Sequence, residues 1–110
     1  MRIDIINQLI TDNNYQSYLE IGVYDKINFN AVKCRNKTGV DPEPKVRASH
    51  VMTSDDFFAS NKKKFDIIFI DGLHHAEQVR RDIENGLECL SPNGSIVVHD
   101  CNPTTEEMQH

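Results

Sequence analysis

The stretch FDIIFI, Phe65 to Ile70, decides how the rest of this chain is read. A strand with one face in water alternates apolar and polar residues, whereas this run is apolar at both odd and even positions. Such a strand belongs in the middle of a parallel sheet covered on both sides. Asp71-Gly72 ends it. A buried parallel sheet needs a crossover between each pair of strands, so the flanking sequence has to alternate helix and strand patterns.

It does so on both sides. Ile3, Ile6 and Ile10, with Ile5 and Leu9 beside them, recur at helical spacing and predict an amphipathic helix closed by the polar stretch Thr11 to Asn14. Tyr18 to Val23, interrupted by Glu20 and Gly22, predicts a first strand running into a tight turn. Phe29 to Cys34 reads as a short helix, Thr38 to Val40 as a second strand and His50 to Met52 as a weak third. Pro42 and Pro44 exclude a helix between the last two. Ser54 followed by Asp55 and Asp56 combines an N-cap with acidic residues in a first helical turn. FDIIFI is then the fourth strand. Val79, Ile83, Leu87 and Leu90 predict a long helix that stops at Ser91-Pro92-Asn93-Gly94, and Ser95 to His99 the fifth strand.

Alternating units joined by right-handed crossovers form an α/β fold with a doubly wound parallel sheet, here in the expected order 3-2-1-4-5. In such a sheet ligands bind outside the carboxyl ends where the strand order reverses. That place lies between the first and fourth strands, at Glu20 to Val23 and Asp71-Gly72.

Composition narrows the function. The 110 residues fit one domain, and 38% apolar with 26% charged residues is ordinary for a globular core. Twelve Lys and Arg against seventeen Asp and Glu leave a net charge of -5, which argues against a nucleic-acid partner. The one basic run, Lys62 to Lys64, reads as a solvated helix end. No apolar stretch approaches the roughly 20 residues that cross a bilayer, so no membrane partner and a cytoplasmic location are expected. Cys34, Cys89 and Cys101 show no CxxC spacing and read as reduced thiols.

Glu20-Ile21-Gly22 puts a glycine where backbone must approach a ligand, and Asp41 ends the second strand. The interval from Gly22 to Asp41 is close to the roughly 20-residue separation at which a carboxylate takes ribose hydroxyls in nucleotide-binding folds. The competing reading of Asp41 is a turn-forming residue before Pro42.

The ordered set YLEIGVYDKINF, TGVDPEP, FDIIFIDGLHHAEQVRRDIENGLECL and SPNGSIVVHDCNP, spanning about Tyr18 to Pro103, resembles the class I S-adenosylmethionine-dependent methyltransferases, in particular their small-molecule O-methyltransferase branch. The resemblance implies a Rossmann-like sheet over residues 1–110 that ends before the usual C-terminal hairpin. It implies S-adenosylmethionine as cofactor, with Glu20 and Gly22 at its methionine portion, Asp41 at the ribose, Ser54 and Asp55 bordering the adenine, and Asp71 beside it. Some relatives hold magnesium at the strand ends that correspond to Asp71 and Asp100. The third ligand's usual place holds Cys101 here, a poor magnesium donor, with Asn102 next to it. His74 and Asp71 are the candidate catalytic residues. His74 would act as base on a hydroxyl of a small-molecule substrate, against the reading that it caps a helix or faces solvent. His75 reads as solvated and His99 as a packed strand residue.

The sequence departs from the family where Val23-Tyr24-Asp25-Lys26 supplies no second glycine. A chain lacking the hairpin also leaves a sheet edge open, through which copies could associate as a homo-oligomer. The alternative to an enzyme is a non-catalytic or truncated cofactor-binding fragment of the same fold.

Overall fold

In the computed structural model, residues 2–72, 76–100 and 105–109 are described, with Arg2, Gly72, Asp100 and 105–109 described through their backbone alone. Helix α1 (Arg2–Asn13) leads into β1 (Ser17–Ile21), α2 (Ile27–Ala31) and β2 (Asn36–Val40). A 3-10 turn at Pro44–Val46 precedes α3 (Ser54–Ser60), β3 (Phe65–Gly72), α4 (Ala76–Glu88), β4 (Leu90–Asp100) and β5 (Thr105–Gln109). The sheet runs β2-β1-β3-β4-β5. The first four strands are parallel and β5 is antiparallel to β4.

Alternation along the strands splits the core into two layers. Tyr18, Ile67, Phe69 and Val97 face one way and pack against Ile6 and Ile10 of α1. Leu19, Ile21, Ile68, Ile70, Ile96 and Val98 face the other and pack against Phe57 of α3 and the Val79, Ile83 and Leu87 stripe of α4. Ile67, Ile68, Phe69 and Ile70 are each wholly buried, as the two-faced FDIIFI run predicts. Each such side chain contributes roughly 1.5–3 kcal/mol of apolar burial. No described helix is long and apolar enough to cross a membrane.

The expected order 3-2-1-4-5 needs correction at both edges. The strands expected as second, first, fourth and fifth are present, in that order, as β2, β1, β3 and β4. The third is reduced to a single parallel bridge, Val40 to His50, on the outer side of β2. Its neighbours Val51 and Met52 find no ladder, and the segment turns at once toward α3.

At the far edge, β5 pairs with β4 from Ser95–Gln109 to His99–Thr105. The edge expected to be open is therefore covered along that length. Thr105 to Gln109 contains one apolar residue, Met108, so no strand pattern announces it. Charged, weakly apolar sequence is usual at sheet edges.

Two boundaries also move. Leu90 belongs to β4 rather than to the preceding helix, pairing with Phe65, and Ser91 to Gly94 form an irregularity before Ser95 pairs with Ile67. Gly94 is required there, because a Cβ would sit 2.7 Å from the Asp66 carbonyl oxygen. The N-cap of α3 is Thr53, one residue before the expected Ser54. Its hydroxyl accepts the Asp56 N–H at 3.2 Å.

Candidate functional site

Strand order reverses between β1 and β3, and the loop after β1 crosses this switch point. Gly22 opens the loop at φ +86°, with its N–H donating to the Val40 carbonyl at 2.9 Å. A Cβ there would meet the Asp71 carbonyl oxygen at 3.0 Å and the Tyr24 ring at 3.1 Å. Only glycine suits both the left-handed angle and the close approach of β3. Tyr24 and Lys26 also take positive φ, 54° and 67°, and the Lys26 N–H closes a turn onto the Val23 carbonyl. Lys26 thus adopts a glycine-like conformation in the stretch that lacks a second glycine.

Asp41 fastens this loop. Its carboxylate is almost completely buried, with Oδ2 accepting the Tyr24 N–H and Oδ1 the Glu43 N–H, both at 2.9 Å. Both readings of Asp41 meet in one geometry: it organises the turn before Pro42, and it presents a carboxylate at the rim next to Gly22. A carboxylate has about four lone-pair sites, so each oxygen keeps capacity for a further donor.

Glu20 lies beneath the turn, 1% exposed, and accepts a hydrogen bond from the Tyr18 hydroxyl. Burial, then the Glu20 carboxylate, pushes the Tyr18 hydroxyl well above its usual pKa, and Asp71 adds to the effect. Tyr24 is raised chiefly by burial and then by Asp71 and Asp41. Its hydroxyl reaches toward the Asp71 carbonyl at 3.5 Å, so its ring bridges the crevice from β1 to β3. Tyr18 and Tyr24 were not among the residues expected here. The i, i+2 placement of Tyr18 and Glu20 on one strand face is a signal for the first, and the position of Tyr24 two residues past Gly22 is a signal for the second.

Asp71 is half-buried at the end of β3 and pairs in register with His99 of β4, while Gly72 pairs with Asp100. Asp71 and Asp100 thus end neighbouring strands one step out of register. Phe69, Asp71, Val97 and His99 alternate onto the α1 side of the sheet, which brings His99 beside Asp71.

Ser54 and Asp55 turn toward α4. The Ser54 hydroxyl donates to Asp82 Oδ1 at 2.6 Å, and Gln78 Nε2 donates to Ser54, Asp55 and Asp82 at 3.0–3.1 Å. Arg81 pairs with Asp55 at 3.4 Å. Burial raises the Asp82 carboxyl, whereas the Gln78 hydrogen bond, ahead of Arg81, lowers that of Asp55. These bonds tie the start of α3 to α4, whose amino end follows β3. His74, His75, Cys101 and Asn102 lie outside the described residues, as does the Asp100 side chain. Among the described residues no group of three or more His, Cys, Asp or Glu is placed to hold a metal ion.

A doubly wound parallel sheet with a glycine turn and a spaced, buried carboxylate at its switch point defines the Rossmann-like cofactor-binding class. Within that class the chain belongs to the methyltransferase-domain family, whose sequence model matches residues 8–101. Comparison with curated proteins finds no match. Among solved structures, the N-methyltransferase NodS from Bradyrhizobium japonicum WM9 is 23% identical with a TM-score of 0.68, over 88% of this chain and 65% of that one. A putative caffeoyl-CoA O-methyltransferase from Staphylococcus aureus is 21% identical with a TM-score of 0.69, over 88% of this chain and 56% of its own. An rRNA methylase from Streptococcus thermophilus reaches a TM-score of 0.74 at 8% identity, over 93% and 70%. At these identities the likeness is one of fold. The chain spans less than two thirds of the length of the first two neighbours, and the three act on different acceptors by name.

Proposed function

We propose that the chain binds S-adenosylmethionine in the crevice between the carboxyl ends of β1 and β3, and that its protein methylates a hydroxyl-bearing small molecule in the cytoplasm. The observation that carries this reading is the buried Asp41 carboxylate clasping the loop that begins at Gly22. Gly22 leaves room for the methionine portion above β1, and Glu20 lies below it. Asp41 takes the ribose hydroxyls with its remaining lone pairs. Ser54 and Asp55 border the adenine side through shape, since their side-chain oxygens serve α4. Asp71 closes the crevice from β3. Support also comes from NodS, which was crystallised with S-adenosyl-L-homocysteine.

S-adenosylmethionine supplies a methyl group already activated by its sulfonium, so the protein's part is alignment and proton removal. His74, next to the end of β3 in sequence, is the proposed base for the acceptor hydroxyl. Magnesium at Asp71 and Asp100 draws no support from the described residues. The buried thiol of Cys89 and half-buried Cys34, both free and both raised in pKa by burial, suit a reducing compartment.

Titration calorimetry of the folded chain with S-adenosylhomocysteine tests the cofactor assignment. Saturable heat is expected, weakened about tenfold or more by Asp41→Ala through loss of charge-assisted hydrogen bonds. A folded chain that gives no heat at millimolar ligand overturns it.

A further inference from the structure

The rim opposite the crevice, at the amino ends of β1, β2 and β3, has a different chemistry. A cavity of about 560 Å³ opens there, lined by Ser17, Arg35, Asn36, Thr38, Lys63 and Lys64. A neighbouring hollow of about 210 Å³ shares Lys63 and Lys64 and adds Lys62. The basic run that reads in sequence as a solvated helix end is therefore the loop between α3 and β3, and it forms a wall common to both.

The cations here are not neutralised by neighbours. Ion pairs among the described residues include Arg80 with Glu77 and Glu84, and Arg81 with Asp55, and Arg35, Lys62, Lys63 and Lys64 enter none of these. Lys64 gives its ammonium to the Glu88 carbonyl oxygen at 2.7 Å, which leaves its charge uncompensated. Lys37 also lines the cavity. Its ammonium points inward to the Phe29 carbonyl at 2.7 Å and lies over that ring, so it adds charge without being a contact group. Of the acids nearby, Asp66 accepts the Gln16 N–H through its Oδ2 at 2.7 Å, and Glu88 lines the smaller hollow. The Ser17 hydroxyl oxygen accepts the Asp66 N–H at 3.0 Å and keeps its hydrogen to donate, and Thr38 adds a second hydroxyl residue to the lining.

We propose that this amino-end cavity is a second binding site, for a small phosphate-bearing anion. A donor set of guanidinium, ammonium and hydroxyl groups matches phosphate oxygens, which only accept. The volume falls in the range of about 300–1,000 Å³ usual for small-molecule sites. A long polyanion fits less well, because the chain's net charge of -5 would oppose its path beyond the patch. The crevice at Gly22 lies at the other end of the strands, so the two sites do not overlap.

Amide-resolved NMR titration with sodium pyrophosphate at low salt, on the wild type and an Arg35→Gln/Lys63→Gln double variant, tests this. Both residues are exposed, so the fold persists in the variant. Saturable shifts confined to residues 17, 35–38 and 62–65 are expected, with affinity lowered about tenfold or more in the variant and S-adenosylhomocysteine binding unchanged. Inorganic phosphate and a nucleoside diphosphate, run in parallel, show whether a mono- or a diphosphate is preferred. Equal shifts with sulfate at matched ionic strength, or equal affinity in the variant, overturn the proposal. Tighter binding of a single-stranded oligonucleotide at equal phosphate concentration overturns it in favour of a nucleic-acid surface.

Discussion

Asp41 Oδ2 accepts the backbone N–H of Tyr24 at 2.9 Å, so the acid that ends β2 holds the loop that follows β1. The second oxygen does the same for Glu43 in its own turn. One side chain therefore couples the two loops that border the crevice.

Asp41→Ala leaves two part-buried N–H groups without their acceptor and is expected to cost about 2–6 kcal/mol, at roughly 1–3 kcal/mol per stranded donor. Asp41→Asn keeps one carbonyl oxygen and is expected to lose less. Urea unfolding of both variants measures the structural share, and S-adenosylhomocysteine titration at a temperature where both are folded measures the cofactor share. A loss of stability no larger than that of a surface substitution would contradict the clasp.

The loop also makes opposite predictions at its two ends. Gly22→Ala places a Cβ 3.0 Å from the Asp71 carbonyl at φ +86° and is expected to destabilise by more than about 1 kcal/mol. Lys26→Gly relieves a left-handed lysine at φ 67°. That strain is worth about 1–2 kcal/mol, partly offset by glycine's greater unfolded-state freedom, so a net gain of about 0.5–1 kcal/mol is expected. Thermal melts of the two variants should shift in opposite directions.

Tyr18→Phe removes the hydroxyl that donates to the buried Glu20 carboxylate while keeping the ring among Ile6, Ile67 and Phe69. A loss of about 1–3 kcal/mol is expected, from a buried acceptor deprived of a donor. Denaturant melts at neutral pH read it directly. A neutral outcome would show that Glu20 is held by other groups.

The α3–α4 clamp predicts two pH windows on either side of the ordinary aspartate value of 3.8. Burial raises the folded pKa of Asp82, so the native state holds its proton more tightly than the unfolded chain. Its contribution is full below 3.8 and is lost as pH rises through the folded value. Asp55 is lowered, first by Gln78, so its contribution is present above 3.8 and is lost as pH falls through its depressed value. Asp82→Asn keeps an oxygen for the Ser54 hydroxyl and should gain on the wild type as pH rises above 3.8. Asp55→Asn should remove part of the wild type's loss on acidification. Melting temperatures across pH 2 to 7, about the span over which aspartates titrate, decide both signs.

The central strands were legible because their message is local. Phe65 to Ile70 is apolar on both faces whatever surrounds it, and the pairing of Gly22 with Asp41 further along declares a turn and a rim. Weak segments carried no such message. His50 could pair with Val40, but Val51 and Met52 had no partner to form a third strand, and Thr105 to Gln109 became a strand through pairing with β4 rather than through its own composition.

By itself, then, the sequence determined the parallel core, the switch point and the positions of Gly22, Asp41 and Asp71 at its rim with Glu20 beneath them, since burial periodicity and glycine's freedom are properties of short stretches. Only the tertiary structure decided that Asp41 clasps Tyr24, that Ser54 and Asp55 serve α4, and that Arg35 and Lys63 line one cavity. Those partners stand far apart along the chain. Such contacts depend on strand order and register, which arise only when the whole sheet is assembled.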